Sequence, residues 1–313
     1  MKIYFDNVNF EASHTGPNCF ASRLAMQLSY MGHEITDPGS DYDVALVFIE
    51  PTKQLNLKKP FASRLDGIWF RPDDFHTKNV GIKWAYDNAQ HVIWQSEFDR
   101  SMSQHHWGER TGSVLRNGAP TKQNEVRSEA LLELRQNNEY IFCCSSNWHP
   151  QKRLSQNIAL FKRIRKEHPK SKLIVMGSNP DMVEADQNIF YTGSLDHDLC
   201  AEVYQISDWM IHLAWLDHAP NVCYESLALG TPVICSSEGG TKELIRMGNG
   251  GVVLDDELEY KYQLLDYDSP PRIDVNQRFI YEDIPTVDRE QYSIEKSAKE
   301  YERVLLDVLN THQ

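Results

Sequence analysis

Several things are scarce or missing from this 313-residue chain, and each absence removes a class of protein. No run of about 18 apolar residues occurs, so no membrane-spanning helix is expected. The opening Met1–Asp6 reads as a first strand and lacks the apolar core and small-residue cleavage site of a signal peptide. The six cysteines (Cys19, Cys143, Cys144, Cys200, Cys223, Cys235) form no Cys-x-x-Cys pair and fall mostly inside apolar runs. Reduced, buried thiols of a cytoplasmic protein are therefore expected. Positive charge is short: 32 Lys and Arg stand against 45 Asp and Glu, a formal net charge of −13. Broad phosphate-backbone binding needs a concentrated positive face, so a nucleic-acid-binding protein is disfavoured. Basic residues do gather between Lys152 and Lys172, mostly at the spacing of a solvated helix face. There is no Gly-x-Gly-x-x-Gly fingerprint, no Gly-x4-Gly-Lys-Ser/Thr loop and no Gly-x-Ser-x-Gly elbow. His105-His106 has no partners at metal-ligand spacing.

What is present is the pattern of an α/β protein. The hydrophobic share of 41% and charged share of 25% are those of a globular chain. Short apolar runs alternate with helical periodicity, which predicts βα units and parallel sheets. In the first half, strands are predicted at Lys2–Phe5, Val44–Ile49, Gly67–Phe70, His91–Gln95 and Val114–Leu115, with a helix over Phe20–Met31 closed by Gly32. A polar helix near Asn124–Gln136 separates the halves. The second half restarts at Tyr140–Ser145, continues through a helix at Leu154–His168 and a strand at Lys172–Met176, and adds βα units up to Pro232–Cys235. Asp255–Tyr292 looks irregular, and an amphipathic helix over Ile294–Leu309 ends the chain. The expected division is an N-terminal domain of residues 1–120, joined by the C-terminal helix 293–313, and a second domain of residues 121–292. Two Rossmann-like domains would then face each other across a cleft.

The segment richest in chemistry is Trp215-Leu-Asp217-His-Ala-Pro-Asn221-Val222-Cys-Tyr-Glu225-Ser-Leu-Ala-Leu-Gly-Thr-Pro-Val-Ile-Cys235. An apolar strand leads into a polar loop, a helix starts near Pro220-Asn221, and a second strand starts at Pro232. Ligands of open α/β sheets bind at such strand ends, where a helix N-terminus presents free N–H groups to phosphate. Two carboxylates, Asp217 in the loop and Glu225 on the helix, suit hydroxyl groups of ribose or sugar. A bare acidic pair at this spacing is more often a cap and a surface glutamate.

This passage closely resembles the Glu-x7-Glu region of family 4 retaining glycosyltransferases, which have the GT-B fold. Glu225 takes the place of the second glutamate, and Ala228, Gly230, Thr231 and Pro232 fit the residues after it. Asp217 stands where the family has the first glutamate, one methylene shorter. The resemblance implies that Glu225 holds the nucleotide ribose and Asp217 the donor sugar. Three further passages are similar to family landmarks. Ser146-Asn-Trp-His149-Pro-Gln-Lys152-Arg153 resembles the Arg-x4-Lys phosphate site, with Lys152 as the lysine and Arg153 as a helper cation. Asn147 replaces the arginine, and His149 sits where related members carry Arg in Trp-Arg-Pro. Ser236-Ser-Glu238-Gly239-Gly240-Thr241 resembles the loop that touches donor sugar and phosphate. Ser13-His14-Thr15-Gly16-Pro17-Asn18 resembles the N-terminal glycine-containing loop facing the diphosphate and acceptor. The resemblance further implies donor contacts from Gly193, Asn221 and Val222, and places Asp66, in Arg64-Leu-Asp66-Gly67, where many members have a sugar-contacting histidine.

The resemblance thus implies a retaining transferase moving a sugar from a UDP- or GDP-linked donor to an acceptor hydroxyl, with Asp217, Lys152, Glu225 and Asp66 as the catalytic set. The nucleotide sugar is then a co-substrate, and no other cofactor is implied. Asp-x-Asp, the metal signature of the other large glycosyltransferase class, occurs at Asp41, Asp196 and Asp266. Three hits in one acidic chain carry little weight, and no metal is expected. The acceptor is left open between a saccharide and another hydroxyl compound, and the net charge disfavours a nucleic acid in that role. Nothing in the sequence sets the oligomeric state. A GT-B-fold sugar-nucleotide epimerase or phosphorylase, or a catalytically weakened sugar-nucleotide-binding protein, are the competing readings, because fold alone does not decide chemistry.

Overall fold

The structure, a computed structural model, describes residues 1–11, 16–180 and 182–312. Ser13, His14 and Thr15 of the N-terminal loop lie outside the described residues. Two compact units are present. The first comprises Met1–Ala119, Lys261–Asp266 and Ser293–Gln313, and the second Pro120–Tyr260 and Tyr267–Tyr292.

In the first unit, β1 (Lys2–Asp6), α1 (Gly16–Tyr30), β2 (Glu34–Thr36), β3 (Val44–Phe48), β4 (Phe61–Leu65), α2 (Pro72–Lys78), α3 (Val80–Asn88), β5 (His91–Trp94), α4 (Glu97–Trp107) and β6 (Gly112–Val114) succeed one another. The strands form a six-stranded sheet in the order β2-β1-β3-β4-β5-β6, and every pairing is parallel. Parallel sheets are covered on both faces, so their strands are nearly continuous apolar runs; β3, Val-Ala-Leu-Val-Phe, is buried throughout.

Two strands of this sheet depart from the sequence expectation, and one of them, β2, was not expected at all. The run Gly67–Phe70 is loop, and the strand is Phe61–Leu65, whose Ser63 and Arg64 break the apolar pattern although both are buried. Arg64 is accommodated because each part of its guanidinium has a partner. Its Nε donates to the Tyr301 hydroxyl at 3.1 Å and its Nη2 to Asn117 at 2.7 Å, while Nη1 pairs with Asp66. The guanidinium also lies 4.6 Å from the Phe20 ring and 4.9 Å from that of Phe48. Tyr301 belongs to α10 (Ile294–His312). That helix buries Ile294, Ala298, Tyr301, Leu305 and Val308 against Phe20, Leu24 and Leu28 of α1. The spacing of four, three, four, three is one helical stripe, and each large side chain buried there contributes about 1.5–3 kcal/mol.

The second unit contains α5 (Glu129–Asn137), β7 (Ile141–Ser145), α6 (Leu154–Glu167), β8 (Lys172–Met176), β9 (Ile189–Gly193), α7 (His197–Ile206), β10 (Trp209–His212), α8 (Asn221–Ala228), β11 (Val233–Ser236), α9 (Thr241–Met247) and β12 (Gly251–Leu254). Helix α5 starts later than the expected Asn124, because Ser128 caps it by accepting the amide hydrogen of Leu131. The sheet is parallel, in the order β12-β11-β10-β7-β8-β9. Its order reverses between β7 and β10, neighbours paired through Phe142 with Trp209 and Cys143 with Met210.

Candidate functional site

The chain leaves β7 and β10 at the same end of the sheet and turns away in opposite directions, which opens a crevice at the switch point. Three loops meet there. The loop after β7 carries Ser146–Arg153, that after β10 carries Leu213–Pro220, and that after β11 carries Ser237–Gly240.

Backbone bonds stitch the three loops together. The Trp215 amide donates to the Gln151 carbonyl at 2.9 Å, and Gln151 Nε2 donates back to the Trp215 carbonyl at 2.8 Å. The Leu216 amide donates to the Glu238 carbonyl at 3.1 Å, and the Gly240 amide to the Asp217 carbonyl at 2.7 Å. Asp217 and Gly239 pair like strand residues. A Cβ on Gly239 would fall 2.8 Å from the Asp217 oxygen, and its φ of +118° is one that L side chains rarely adopt. Only glycine allows this approach.

The consequence is a short ionic array. Lys152 closes a single 3₁₀ turn, Pro150–Lys152, that begins after His149. Its Nζ lies 2.5 Å from Asp217 Oδ2. The same oxygen is 3.3 Å from Nε2 of His212, the last residue of β10. Burial opposes ionisation of Asp217, but the charge of Lys152 and the contact with His212 outweigh it and hold the carboxyl well below its usual range. Burial likewise depresses the His212 pKa, against the pull of Asp217. Neutral His212 therefore donates from Nε2 to the carboxylate.

Asn147 and Trp148 tie this site to the next strand. The Asn147 side-chain oxygen accepts from Ser178 at 2.9 Å and Asn179 at 3.1 Å. Trp148 is buried, with its indole N–H on the Met176 carbonyl at 2.9 Å. Gly193, expected as a donor contact, ends edge strand β9, where its carbonyl accepts from the Gly177 amide at 2.8 Å.

Arg153 corrects an expectation. Rather than lying open to phosphate, its side chain has no exposed surface and pairs with Asp256, also fully buried, at 2.6 Å. It also donates to the carbonyls of Leu213 (3.2 Å) and Pro271 (2.8 Å). Its backbone is left-handed, with φ 53°, which turns the chain from the Lys152 turn into α6. Arg153 is thus an internal brace. Asp256 passes the brace on, since its Oδ2 accepts the Glu238 amide at 3.0 Å. Glu238, expected at the sugar, has Oε2 on the Tyr260 amide at 3.0 Å. Burial raises its pKa, opposed by that hydrogen bond.

Helix α8 begins at Asn221 with Pro220 as its cap residue, and Asn221, Val222 and Glu225 are all half-buried. Asn221 and Glu225 stand four apart and so share a helix face. Glu225 is close enough to the Cys200 thiol to add to the rise, first caused by burial, that takes it to about 12. In the first unit, Gly16 opens α1 and Asp66 comes directly after β4. The Asp66 carboxylate is 14% exposed; Oδ1 pairs with Arg64 and accepts from Gln95 at 2.9 Å. Gln95 accepts in turn from Asn117 at 2.9 Å, closing a ring with Arg64. His212, Gln151 and Asp256 were not anticipated from the sequence. The signal for His212 was a histidine ending an otherwise apolar strand, whereas Asp256 lies in a segment that reads as irregular.

The fold is that of the GT-B class, as superposition on solved structures shows. Alr3699/HepE of Anabaena, in complex with UDP and glucose, superposes with TM-score 0.68 at 16% identity, covering 98% of this chain and 100% of that one. Sucrose-phosphate synthase from Thermosynechococcus elongatus superposes with TM-score 0.64 at 13% identity, over 99% and 97%. A glycosyltransferase from Rickettsia africae ESF-5 gives 0.66 at 13%, over 98% of both. At these identities the likeness shows the fold. Within it, residues 132–262 match the family model described as Glycosyl transferases group 1. The alpha-monoglucosyldiacylglycerol synthase of Streptococcus pneumoniae (strain ATCC BAA-255 / R6) is 29% identical over 141 residues, which cover 41% of this chain and 32% of that protein. The chain therefore spans about a third of the length of this curated relative.

Proposed function

We propose that this protein is a retaining glycosyltransferase that moves a sugar from a UDP- or GDP-linked donor to an acceptor hydroxyl, without a metal ion. The observation that carries the reading is the convergence of three strand-end loops at the switch point of the second sheet, with Lys152 held at their junction. The group 1 match over 132–262 encloses all three loops, and a neighbour of the same fold holds UDP and glucose. Lys152 and the first amides of α8 offset the negative charge that builds on the departing diphosphate. Glu225 takes the ribose hydroxyls, and Glu238 and the backbone of Gly239-Gly240 approach the sugar.

In the reaction, the bond from the anomeric carbon to the β-phosphate oxygen breaks. The acceptor oxygen bonds to the same face of that carbon, and its proton passes to the leaving diphosphate. No enzyme nucleophile takes part. Among the described residues no helix is long and apolar enough to cross a membrane, and the six cysteines are free; we place the protein in the cytoplasm. The test is incubation of purified protein with a panel of UDP- and GDP-sugars and candidate acceptors, with product analysis. A new glycoside with the donor's anomeric configuration supports the proposal. An epimerised nucleotide sugar, a sugar phosphate, or neither binding nor consumption of any donor refutes it.

A further inference from the structure

Asp217, which the resemblance assigns to the donor sugar, is committed to another partner, and the role inferred for it here rests on the protein being a nucleotide-sugar transferase. Lys152 Nζ and Asp217 Oδ2 are 2.5 Å apart, with the two side chains 20% and 12% exposed. This is not a pair of long surface side chains meeting by chance. Gln151, next to Lys152, is bonded both ways to Trp215. The Asp217 backbone is pinned to Gly240 and Gly239. His212, buried at the end of β10, holds the same carboxylate oxygen at 3.3 Å. If the carboxylate swung away, His212 and Lys152 would both lose their partner. Such a pair is costly to break from one side only.

We propose that Asp217 is a positioning residue for Lys152. It holds the ammonium at the diphosphate position and offsets its charge, so that a nucleoside diphosphate is bound less tightly than by an uncompensated lysine and leaves faster after transfer. A unit charge ~6 Å from a phosphate oxygen, at an effective dielectric of about 20, corresponds to roughly a hundredfold in affinity, and partial exposure lowers that toward tenfold.

The experiment is isothermal titration of the wild type, Asp217→Asn and Asp217→Ser with UDP, GDP, UMP and GMP, each variant first checked for cooperative thermal unfolding. Both substitutions remove the charge and leave His212 an acceptor, so either one suffices if the other does not fold. The expected result is a roughly tenfold or greater gain in diphosphate affinity, with monophosphate affinity moved less than about threefold. Lys152→Met in the Asp217→Asn background should abolish the gain. A purely structural role for Asp217 would weaken both kinds of nucleotide together, and that outcome overturns the inference. Unchanged diphosphate affinity with lost transfer activity also overturns it, because Asp217 would then act on the sugar. Failure of the wild type to bind either diphosphate refutes the transferase reading itself, and it shows before any variant is compared.

Discussion

Replacing Arg153 with methionine separates a brace from a phosphate ligand. Arg153 and Asp256 are fully buried and 2.6 Å apart, and Arg153 also holds the carbonyls of Leu213 and Pro271. Methionine fills much of the same space but leaves the Asp256 carboxylate buried without a counter-charge. Removing one partner of such a pair costs about 3–5 kcal/mol, against a total stability of about 5–15 kcal/mol. For a unit of this size each kcal/mol lowers the melting temperature by roughly 2–4 °C, so a fall of roughly 6–20 °C is expected. Scanning calorimetry and urea unfolding measure it. Arg153→Met/Asp256→Asn, which removes the orphaned charge and keeps an acceptor for the Glu238 amide, should recover part of the loss. If Arg153→Met instead melts within about 1 kcal/mol of the wild type while losing affinity for UDP or GDP, Arg153 is a phosphate ligand and the reasoning is refuted.

Three other outcomes are expected. Gly239→Ala places a methyl group 2.8 Å from the Asp217 oxygen at a φ of +118°; it should cost about 1–3 kcal/mol and lower donor turnover at least tenfold, and an unchanged melting temperature and rate would contradict this. Arg64→Met leaves Asp66 without its cation inside the first unit and should destabilise by about 3 kcal/mol in urea unfolding, with a loss under 1 kcal/mol as the contrary result. A carboxyl with a depressed folded-state pKa, such as Asp217, contributes stability that is present above its unfolded value of about 4 and lost as the pH falls through the folded one. Asp217→Asn should therefore flatten the acid side of the stability profile below about pH 5, and an unchanged slope would exclude that contribution.

The α/β architecture was legible because most of its strands are buried on both faces and read as apolar runs, as Val44–Phe48 and Ile141–Ser145 do. The stripe Ile294, Ala298, Tyr301, Leu305, Val308 likewise made the last helix visible. Phe61–Leu65 was not legible. A buried arginine is tolerated there because Asn117 and Tyr301 arrive from elsewhere in the chain to join the neighbouring Asp66. The loops of the candidate site could be picked out by their resemblance to family 4 glycosyltransferase motifs, but not the way their side chains pair. Lys152 and Asp217 are 65 positions apart, and nothing local says that the lysine meets the carboxylate or that the neighbouring arginine turns inward to Asp256. Left-handed backbone at Arg153, an uncommon conformation for a residue other than glycine, sends these adjacent cations in different directions.

Whether the crevice of the second sheet is a donor site is decided by nucleoside diphosphate release from a panel of UDP- and GDP-sugars. The anomeric configuration of the product is read by NMR, with Lys152→Met and Glu225→Gln run in parallel. The wild type is expected to consume at least one donor with retention. Lys152→Met, which removes a cation from the leaving diphosphate, is expected to be slower by about a hundredfold or more. Donor consumption that survives Lys152→Met unchanged, or a wild type that consumes none of the donors, would contradict the assignment of this crevice.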